Sequence, residues 1–492
     1  MIGVLTREDF KIILHNLGHV TAVASFTMLV PAIAAYYYHE IYFLKIFMLS
    51  FIVTFVAGTI TSKAFFSEHD LKLRHAIGMT ALAYLVVPAF SAIPLLSFSP
   101  TFIDAFFETV SGWTTTGLST IASNADSFPH SINLWRHLMQ YVGGLGIVVM
   151  SLVILSRART GVESTIFYTA EGREERLGLS IVSTVRAMWG IYLMFLVLAT
   201  VALYYAGMGW FDSLCHAMAG LSTGGFSTHS NSILYYNSYL IEAVTAVIMI
   251  VGSMNFALHY AIITGHFKEI TKNIETQTFA VTLGILSLST VLWLTLTERY
   301  ASFYPGFRYG FYTIVSGLTT TGWMSESAGN LHIYWAPLAL VVVGIAMSIG
   351  ASTCSTGGGI KCMRFGMIIK SIWWKVRDSL IPEDAVVVRK FHHIRDHVIT
   401  EKHLYEMFIM VFAYILLLTI STLITSAYGY PFSQSFFEAA SALGTVGLTV
   451  GITGASMPVV LKILYILDMW AGRLEVISIL VFFASLKGLL QE

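Results

Sequence analysis

The sequence predicts an all-α polytopic membrane protein, and two observations support this fold class. Of its 492 residues, 56% are hydrophobic and 11% are charged, and the mean hydropathy is +0.72. This composition leaves too little polar surface for a soluble chain of this size. A short stretch rich in threonine and glycine also occurs four times, each time between two long apolar segments. The formal net charge is zero, so no basic surface indicates a nucleic-acid partner.

The apolar segments predict the order of the elements. A spanning helix needs about 20 apolar residues, and the first two candidates, at about 12–38 and 41–64, form an N-terminal helix pair within residues 1–70. Four units follow, each with a spanning helix, a half-length helix, the threonine-glycine stretch and a second spanning helix. We expect the units to occupy residues 71–160, 161–272, 273–378 and 379–492. This plan gives ten spanning helices and places both termini on one side.

Positive charge indicates which side that is. The 361–402 connection holds nine Lys or Arg residues, whereas the loops that carry the repeated stretches hold few, Arg308 being an exception. The 157–186 connection is also basic and contains Arg157, Arg159, Arg173, Arg176 and Arg186. Because cytoplasmic loops are enriched in Lys and Arg, the half-length helices are predicted to enter from the outer face, with both termini cytoplasmic.

The repeated stretches predict a cavity shared by the four units. They read SGWTTTGLST from Ser111, AGLSTGGFST from Ala219, SGLTTTGWMS from Ser316 and SALGTVGLTV from Ser441. When the four stretches are aligned, threonine stands two places before the equivalent glycine in every copy. These glycines are Gly117, Gly225, Gly322 and Gly447. Non-helical backbone at membrane depth must be buried in protein or line a water-filled cavity. Small residues could instead form helix-packing faces, but four aligned copies make that alternative weak.

The chemistry of the stretch favours a cation. A half-length helix that ends in the cavity presents its negative dipole end to it. Glycine allows backbone angles that turn carbonyl oxygens towards an axis, and rings of carbonyls replace the hydration shell of potassium. The fourth copy has Val446 where Thr116 and Thr321 provide a hydroxyl, so we expect only approximate symmetry, with fewer or looser ion sites.

Four carboxylates precede the glycines by nine or thirteen residues: Asp104, Glu108, Asp212 and Glu438. They could form a negatively charged outer vestibule that concentrates cations. They could equally cap or tie down the half-length helices. The sequence leaves both interpretations open.

Two further features lie on the other side of the predicted cavity. The second span of unit three is interrupted by SIGASTCSTGGGIK, from Ser348 to Lys361, which predicts a helix break and a flexible flap beneath the repeated stretches. Its glycines do not match the spacing of a nucleotide-phosphate loop. Arg473 stands inside the last apolar segment, where a fixed charge would raise a barrier to cations. Arg473 could also pair with Glu475 or Asp468 as a structural tie.

These residues resemble a known family. The four stretches, STGGGIK from Ser355 and GRLE from Gly472 are together similar to the Trk/Ktr/HKT superfamily of potassium transporters, and the two additional N-terminal helices favour its TrkH type. The resemblance covers nearly the whole chain. It implies a pseudo-fourfold pore for potassium uptake rather than an enzyme, with potassium as ligand and no organic cofactor. The implied filter residues are Thr115, Thr116, Gly117, Thr223, Gly224, Gly225, Thr320, Thr321, Gly322, Thr445, Val446 and Gly447.

The resemblance also implies a gate and partners. The implied gate consists of an intramembrane loop and a constriction arginine: Gly350, Ser352, Thr353, Ser355, Thr356, Gly357, Gly358, Gly359, Lys361 and Arg473. Family members form dimers on a ring of cytosolic TrkA-type subunits that bind nucleotides, in the prokaryotic cytoplasmic membrane. Sodium-favouring plant members carry serine where Gly117 stands here, so potassium is the expected ion. A symporter that couples potassium to sodium or protons remains the alternative.

A cluster of histidines lies in the longest basic connection: His392, His393, His397 and His403. If this segment is helical, His393 and His397 are one turn apart and a metal site is conceivable. Solvated histidines in a loop that docks a partner are the ordinary interpretation. An intramembrane enzyme is the alternative function class, but only Asp212 and His216 approach a catalytic spacing.

Overall fold

The computed structural model describes residues 6–67, 69, 72–146, 181–300, 302–335, 337–380 and 389–486. The N-terminal pair consists of α1 (Arg7–Ser25) and α2 (Leu29–Tyr37), joined by the 3-10 turn Phe26–Met28, and of α3 (Ile41–Ala64). The pair packs very closely, since a Cβ added at Gly18 or Gly58 would collide with the backbone of the other helix. Small residues allow such an approach between membrane helices.

The four units follow in chain order. Unit one contains α4 (Leu73–Ser91), the 3-10 turn Ile93–Leu95, α5 (Phe102–Trp113), the 3-10 segment Ala122–Ser127 and α6 (His130–Leu145). Unit two contains α7 (Ile181–Tyr205), α8 (Trp210–Leu221), the 3-10 segment Ser232–Tyr236, α9 (Tyr239–Ser253) and α10 (Phe256–Ile263).

The short helix α11 (Glu269–Lys272) ends unit two, and unit three contains α12 (Ile274–Leu296), α13 (Phe303–Leu318), α14 (Ala328–Tyr334), α15 (Pro337–Ile349) and α16 (Cys362–Asp378). A hairpin of β1 (Lys390–His393) and β2 (Arg395–Val398) leads into unit four. Unit four contains α17 (Glu401–Ala427), α18 (Phe432–Leu443), α19 (Val459–Leu474) and α20 (Val476–Leu486).

Within the described residues, the first spanning helix of each unit is long, whereas the second one ends after 13 to 16 residues. Among the described residues, six helices are long and apolar enough to cross a membrane, and they are the N-terminal pair and the first helix of each unit. The second helices end at Leu145, Ser253, Ile349 and Leu474, 27 or 28 residues after the equivalent glycines of the repeated stretches. The predicted second spans of units two and four are therefore interrupted in the structure, and the predicted break in unit three is present.

The breaks have local causes. In unit two, α9 and α10 meet at 103°, where the chain becomes extended at Met254. In units one, three and four, the residue after the helix has a positive φ, namely 99° at Gly146, 73° at Gly350 and 63° at Glu475. The rest of the second span of unit one, the boundary at residue 160 and the arginines from Arg157 to Arg176 lie outside the described residues.

Burial separates an outer layer from an inner one. The long first helices α7, α12 and α17 expose large apolar side chains, as do the N-terminal helices, whereas α5, α6, α8 and α18 are almost entirely buried. This is the arrangement of a membrane protein whose lipid-facing helices surround a protein-filled centre. The half-length helices thus bring the four repeated stretches together in the middle of the fold.

Candidate functional site

The half-length helix ends in the same way in all four repeated stretches. The threonine two places before the glycine has a φ of 57°, 50°, 56° or 51° in units one to four. Its amide donates to the carbonyl three residues earlier at 3.1–3.2 Å, and the next amide donates to the carbonyl five residues earlier at 2.7–3.0 Å. These bonds define a Schellman ending, which normally carries glycine at the left-handed position. A β-branched residue there is strained by about 1–3 kcal/mol, and all four units accept that strain.

Parts of the four stretches form a closed ring. The name "ring" refers below to residues 115–117, 223–225, 320–322 and 445–447. A Cβ added at the glycine of units one, two, three or four would collide with a carbonyl oxygen of the next unit, namely that of Gly224, Thr321, Val446 or Thr116. The order runs from unit one to four and back to one. All four glycines have a φ between 75° and 104°, so both backbone angle and space require glycine.

The side chains beside the ring are less regular than its backbone. Thr114 and Thr116 share a hydroxyl hydrogen bond of 2.8 Å, and Thr319 and Thr321 share one of 2.9 Å. Unit two instead uses Gln140 of α6, whose amide nitrogen donates to the Gly224 carbonyl and whose Oε1 accepts from Phe226 N at 3.1 Å. Gln140 was not predicted from the sequence, where the available signal was an amide side chain within an apolar segment.

The carboxylates nine residues before the ring glycines tie the half-length helices to the chain beyond the ring. Glu108 accepts from Ser119 Oγ at 2.7 Å and pairs with Arg136 at 2.8 Å. Glu438 accepts four hydrogen bonds, all from residues 449–453. At the same position in unit two, His216 Nε2 lies 3.0 Å from Ser227 Oγ.

The alternative of a charged outer vestibule was wrong for the buried members of this set. Glu108 and Glu438 are fully buried, and Asp104 is buried against Lys462 at 2.6 Å. Asp212 accepts from Thr228 Oγ1 at 2.8 Å and lies 3.3 Å from His229 Nε2. The tie interpretation is confirmed for all four. Arg136 and Lys462, the cations that neutralise two of them, were not singled out from the sequence.

Beneath the ring lies the unit-three loop, here called the loop and comprising Gly350 to Lys361. Its two arms pair with each other, with Ala351 N donating to Gly358 O at 3.3 Å and Ile360 N to Ser348 O at 2.9 Å. A Cβ at Gly350 would collide with Gly358 O. The glycines therefore permit close approach of the two arms, which are hydrogen-bonded to each other in this conformation.

The loop contacts the ring threonine of every unit. The Thr356 carbonyl accepts from Thr115 Oγ1 at 3.4 Å, and the Thr356 hydroxyl lies 3.1 Å from that of Thr223. Gly358 N donates to Thr320 Oγ1 at 3.0 Å. A Cβ at Gly358 would collide with Thr445 Oγ1. The loop therefore lies across the base of the ring.

Arg473 joins the loop to unit one. Its Nη1 donates to Thr356 O at 2.7 Å and to Thr115 Oγ1 at 3.3 Å, and its Nη2 donates to the carbonyls of Gly143 and Gly144. The alternative of a structural tie from Arg473 to Glu475 or Asp468 was wrong. Glu475 pairs with Arg364 at 2.8 Å, and Asp468 accepts from Ser421 Oγ at 2.8 Å. Among the described residues, no carboxylate lies within ion-pair distance of Arg473.

A cavity of about 960 Å³ lies on the other side of the loop. The loop, the hairpin and the ends of α16, α17 and α19 line it, and Lys361, Arg364 and Arg395 contribute positive charge. His393 and His397 of the hairpin also border the cavity, but they lie on strands rather than on a helix, with His397 opposite Phe391. The helical spacing considered for a metal site was therefore wrong, and the described residues contain no group of three or more potential metal ligands.

Comparisons with known proteins agree over nearly the whole chain. A family model described as a cation transport protein, TrkH, matches residues 43–488. A protein of Methanocaldococcus jannaschii described as an uncharacterized cation transporter is 33% identical, over 98% of this chain and 97% of its own. The Trk system potassium uptake protein TrkG of Escherichia coli K12 is 28% identical, over 98% of this chain and 99% of its own. The crystal structure of the potassium transporter TrkH from Vibrio parahaemolyticus aligns with a TM-score of 0.82 and 28% identity, covering 96% and 98% of the two chains.

Proposed function

Because the chain belongs to the TrkH family of cation transport proteins, we propose that it takes up potassium through the ring. The potassium uptake protein TrkG of Escherichia coli and the potassium transporter TrkH of Vibrio parahaemolyticus, both similar to this chain, support the ion. The observation that carries the proposal is the closed ring itself. Four copies of one backbone conformation meet around a common centre, each glycine against a carbonyl of the next unit.

The ring residues are proposed to bind potassium through their carbonyl oxygens. Four half-length helices end at the ring, so their negative dipole ends favour a cation there. Backbone carbonyls at a narrow ring replace water around potassium. Unit four has Val446 where units one and three have a threonine, so it lacks that hydroxyl. In unit two, the Gln140 amide donates a hydrogen bond to the Gly224 carbonyl. Both differences support the expectation of fewer or looser ion sites than in a true tetramer.

The loop and Arg473 are proposed to form the gate. The loop crosses the base of the ring and contacts all four ring threonines. Arg473 adds a fixed positive charge at that level. Two like unit charges 4 Å apart repel by about 1 kcal/mol in water and by about 4 kcal/mol at an effective dielectric constant of about 20, so the charge of Arg473 raises a barrier to cations while it stays at that level.

The proposed setting is the prokaryotic cytoplasmic membrane. The basic connection before unit four favours both termini and the hairpin on the cytoplasmic side. We propose that the chain works as a homodimer with a cytosolic, nucleotide-binding TrkA-type subunit, which the Trk system names of its relatives support. A gated passive pore is favoured over a symporter because the four units enter from one side, whereas many symporters contain inverted repeats.

Ion flux into liposomes tests the proposal. Purified wild type and Gly117→Ser are compared under potassium and sodium gradients, with Gly265→Ser as control. Both glycines have a φ of 89°, but a Cβ at Gly117 collides with Gly224 O, whereas Gly265 has open space around it. We expect potassium-selective flux that Gly117→Ser loses and Gly265→Ser retains. Equal permeation of both ions through all three proteins would contradict the proposed filter.

A further inference from the structure

One buried carboxylate outside the ring contacts the loop directly. Glu275 is the second residue of α12 and is 1% exposed. Its Oε1 accepts from the Thr353 amide at 2.6 Å and from the Thr353 hydroxyl at 2.7 Å. These two bonds hold the loop arm that precedes Thr356. They connect the first helix of unit three to a segment 78 residues later in the chain.

The other oxygen of Glu275 faces two different segments. Oε2 accepts from Asn255 Nδ2 at 3.4 Å, at the break between α9 and α10. It also lies 3.9 Å from His393 Nδ1, on strand β1 of the hairpin. His393 Nδ1 is in addition 3.2 Å from Oδ1 of Asn273, the residue that caps α12. A single carboxylate thus contacts the loop, the unit-two break and the hairpin.

The hairpin is a separate small element that lies on this corner. It is a two-stranded sheet in which β1 and β2 form four residue pairs. His392 Nε2 lies 2.8 Å from Glu269 Oε2 on α11, so the two neighbouring histidines connect the hairpin to the end of unit two and the start of unit three. Displacing the hairpin would remove His393 from Glu275 and open that corner to water. His393 lies at ion-pair distance from Glu275, and water that reaches a buried carboxylate competes with its protein donors. Such a change therefore weakens the hold of Glu275 on Thr353.

We propose that Glu275 is a positioning residue that couples the cytoplasmic hairpin to the loop. With the hairpin docked, Glu275 holds Thr353 and keeps the loop across the ring. With the hairpin displaced, Glu275 becomes hydrated, Thr353 is released and the loop moves away from the ring. This inference rests on the proposed function, in which the loop is the gate, and it assigns the hairpin as the element through which a cytoplasmic signal reaches that gate.

The native cysteines allow a test that does not depend on flux. The chain has three: Cys354 follows Thr353 in the loop and borders the cavity, whereas Cys215 and Cys362 are buried. Alkylation of each thiol in the purified full-length protein is followed by peptide mass spectrometry. Variants are Glu275→Ala, Glu275→Gln, His393→Ala and the double variant, with Glu269→Gln as matched control because Glu269 contacts the hairpin but not the loop.

We expect Glu275→Ala to raise the alkylation rate of Cys354 about tenfold, as loss of a charged hydrogen bond allows. Glu275→Gln, which keeps an acceptor for Thr353, should restore most of the protection. His393→Ala should raise the rate in the wild-type background and have no further effect in Glu275→Ala. Glu269→Gln should have a smaller effect than His393→Ala. An unchanged Cys354 rate in Glu275→Ala, or equal effects of His393→Ala in both backgrounds, would overturn the proposal.

Two controls separate the possible failures. Slow alkylation of Cys215 shows that a variant is folded, and if Glu275→Ala is not, Thr353→Val removes the hydroxyl bond from the loop side and should also expose Cys354. Parallel potassium flux then separates the two proposals. Exposure of Cys354 without any rise in flux would support the coupling and refute the loop as the gate. Potassium-selective flux with Cys354 unaffected by every variant would refute the coupling alone.

Discussion

The ring and the loop are both non-helical, glycine-containing and buried, yet they are stabilised in different ways. In the ring, each stretch is fixed by hydrogen bonds to its own half-length helix, and the same bonds occur four times. The loop occurs once, and besides the backbone bonds between its two arms it is held in place by side chains from distant parts of the chain, such as Arg473 and Glu275. A structure held by local backbone bonds persists when its neighbours move. A structure held by a few distant side chains can be released by changing one of them.

The ring should therefore be the more damaging place to add one methyl group. We expect Gly322→Ala to lower the free energy of unfolding by about 4 kcal/mol and to abolish potassium uptake, because the collision with Val446 O adds to the left-handed strain. Gly265→Ala has a similar φ and open space, so it should cost only about 1 kcal/mol. Thermal unfolding and uptake measured on both variants check this; equal effects would show that the ring is not closely packed.

The ties of the half-length helices should differ with the charge of their partners. Glu108→Gln leaves Arg136 buried without its carboxylate, which should cost about 3 kcal/mol. Glu438 accepts only from neutral donors, and Gln keeps an acceptor, so Glu438→Gln should cost about 1 kcal/mol. Unfolding of the two variants in the same detergent measures the difference. A larger loss in Glu438→Gln would refute this view of the ties.

The loop should yield a gain of transport where the ring yields a loss. Arg473→Ala removes the fixed charge and the Nη1 bond to Thr356 O, and we expect potassium flux to rise about tenfold, corresponding to one charged hydrogen bond. Arg473→Lys keeps the charge but not the planar guanidinium group, so its potassium flux should lie between that of the wild type and that of Arg473→Ala. Liposome flux measures all three proteins. Unchanged flux in Arg473→Ala would remove the arginine from the proposed gate.

The smallest effect concerns pH at the hairpin. Hydrogen bonds with Asp396 and Glu269 raise the pKa of His392 above its ordinary value of 6.5. A raised folded-state pKa stabilises the fold below the unfolded pKa, and that stabilisation is lost as pH rises through the folded value. Wild type should exceed His392→Gln in stability at pH 6 and match it at pH 9. Because His392 and its carboxylate partners are accessible to solvent, the difference in the free energy of unfolding should stay below about 1 kcal/mol. Unfolding midpoints at the two pH values measure it.

The sequence predicted the parts of the site that follow from local chemistry. The four repeated stretches, the left-handed capacity of their glycines and the break in unit three were all visible as residue patterns. The positions of Gln140, Arg136 and Glu275 were not, because each acts on a residue far away in the chain. The breaks in units two and four were also missed, since an apolar run of sufficient length gives no sign of a bend after its midpoint.

By itself, the sequence determined the membrane setting, the repeat and the chemistry of the ring, because composition and spacing are properties of the chain. It left open whether Glu108 and Glu438 face water or the protein, and whether Arg473 pairs with a carboxylate. Only the tertiary structure decided these points, since burial and pairing depend on which distant segments meet. Glu438 accepts bonds from its own unit, Arg473 donates to units one and three, and Glu275 joins the loop to the hairpin.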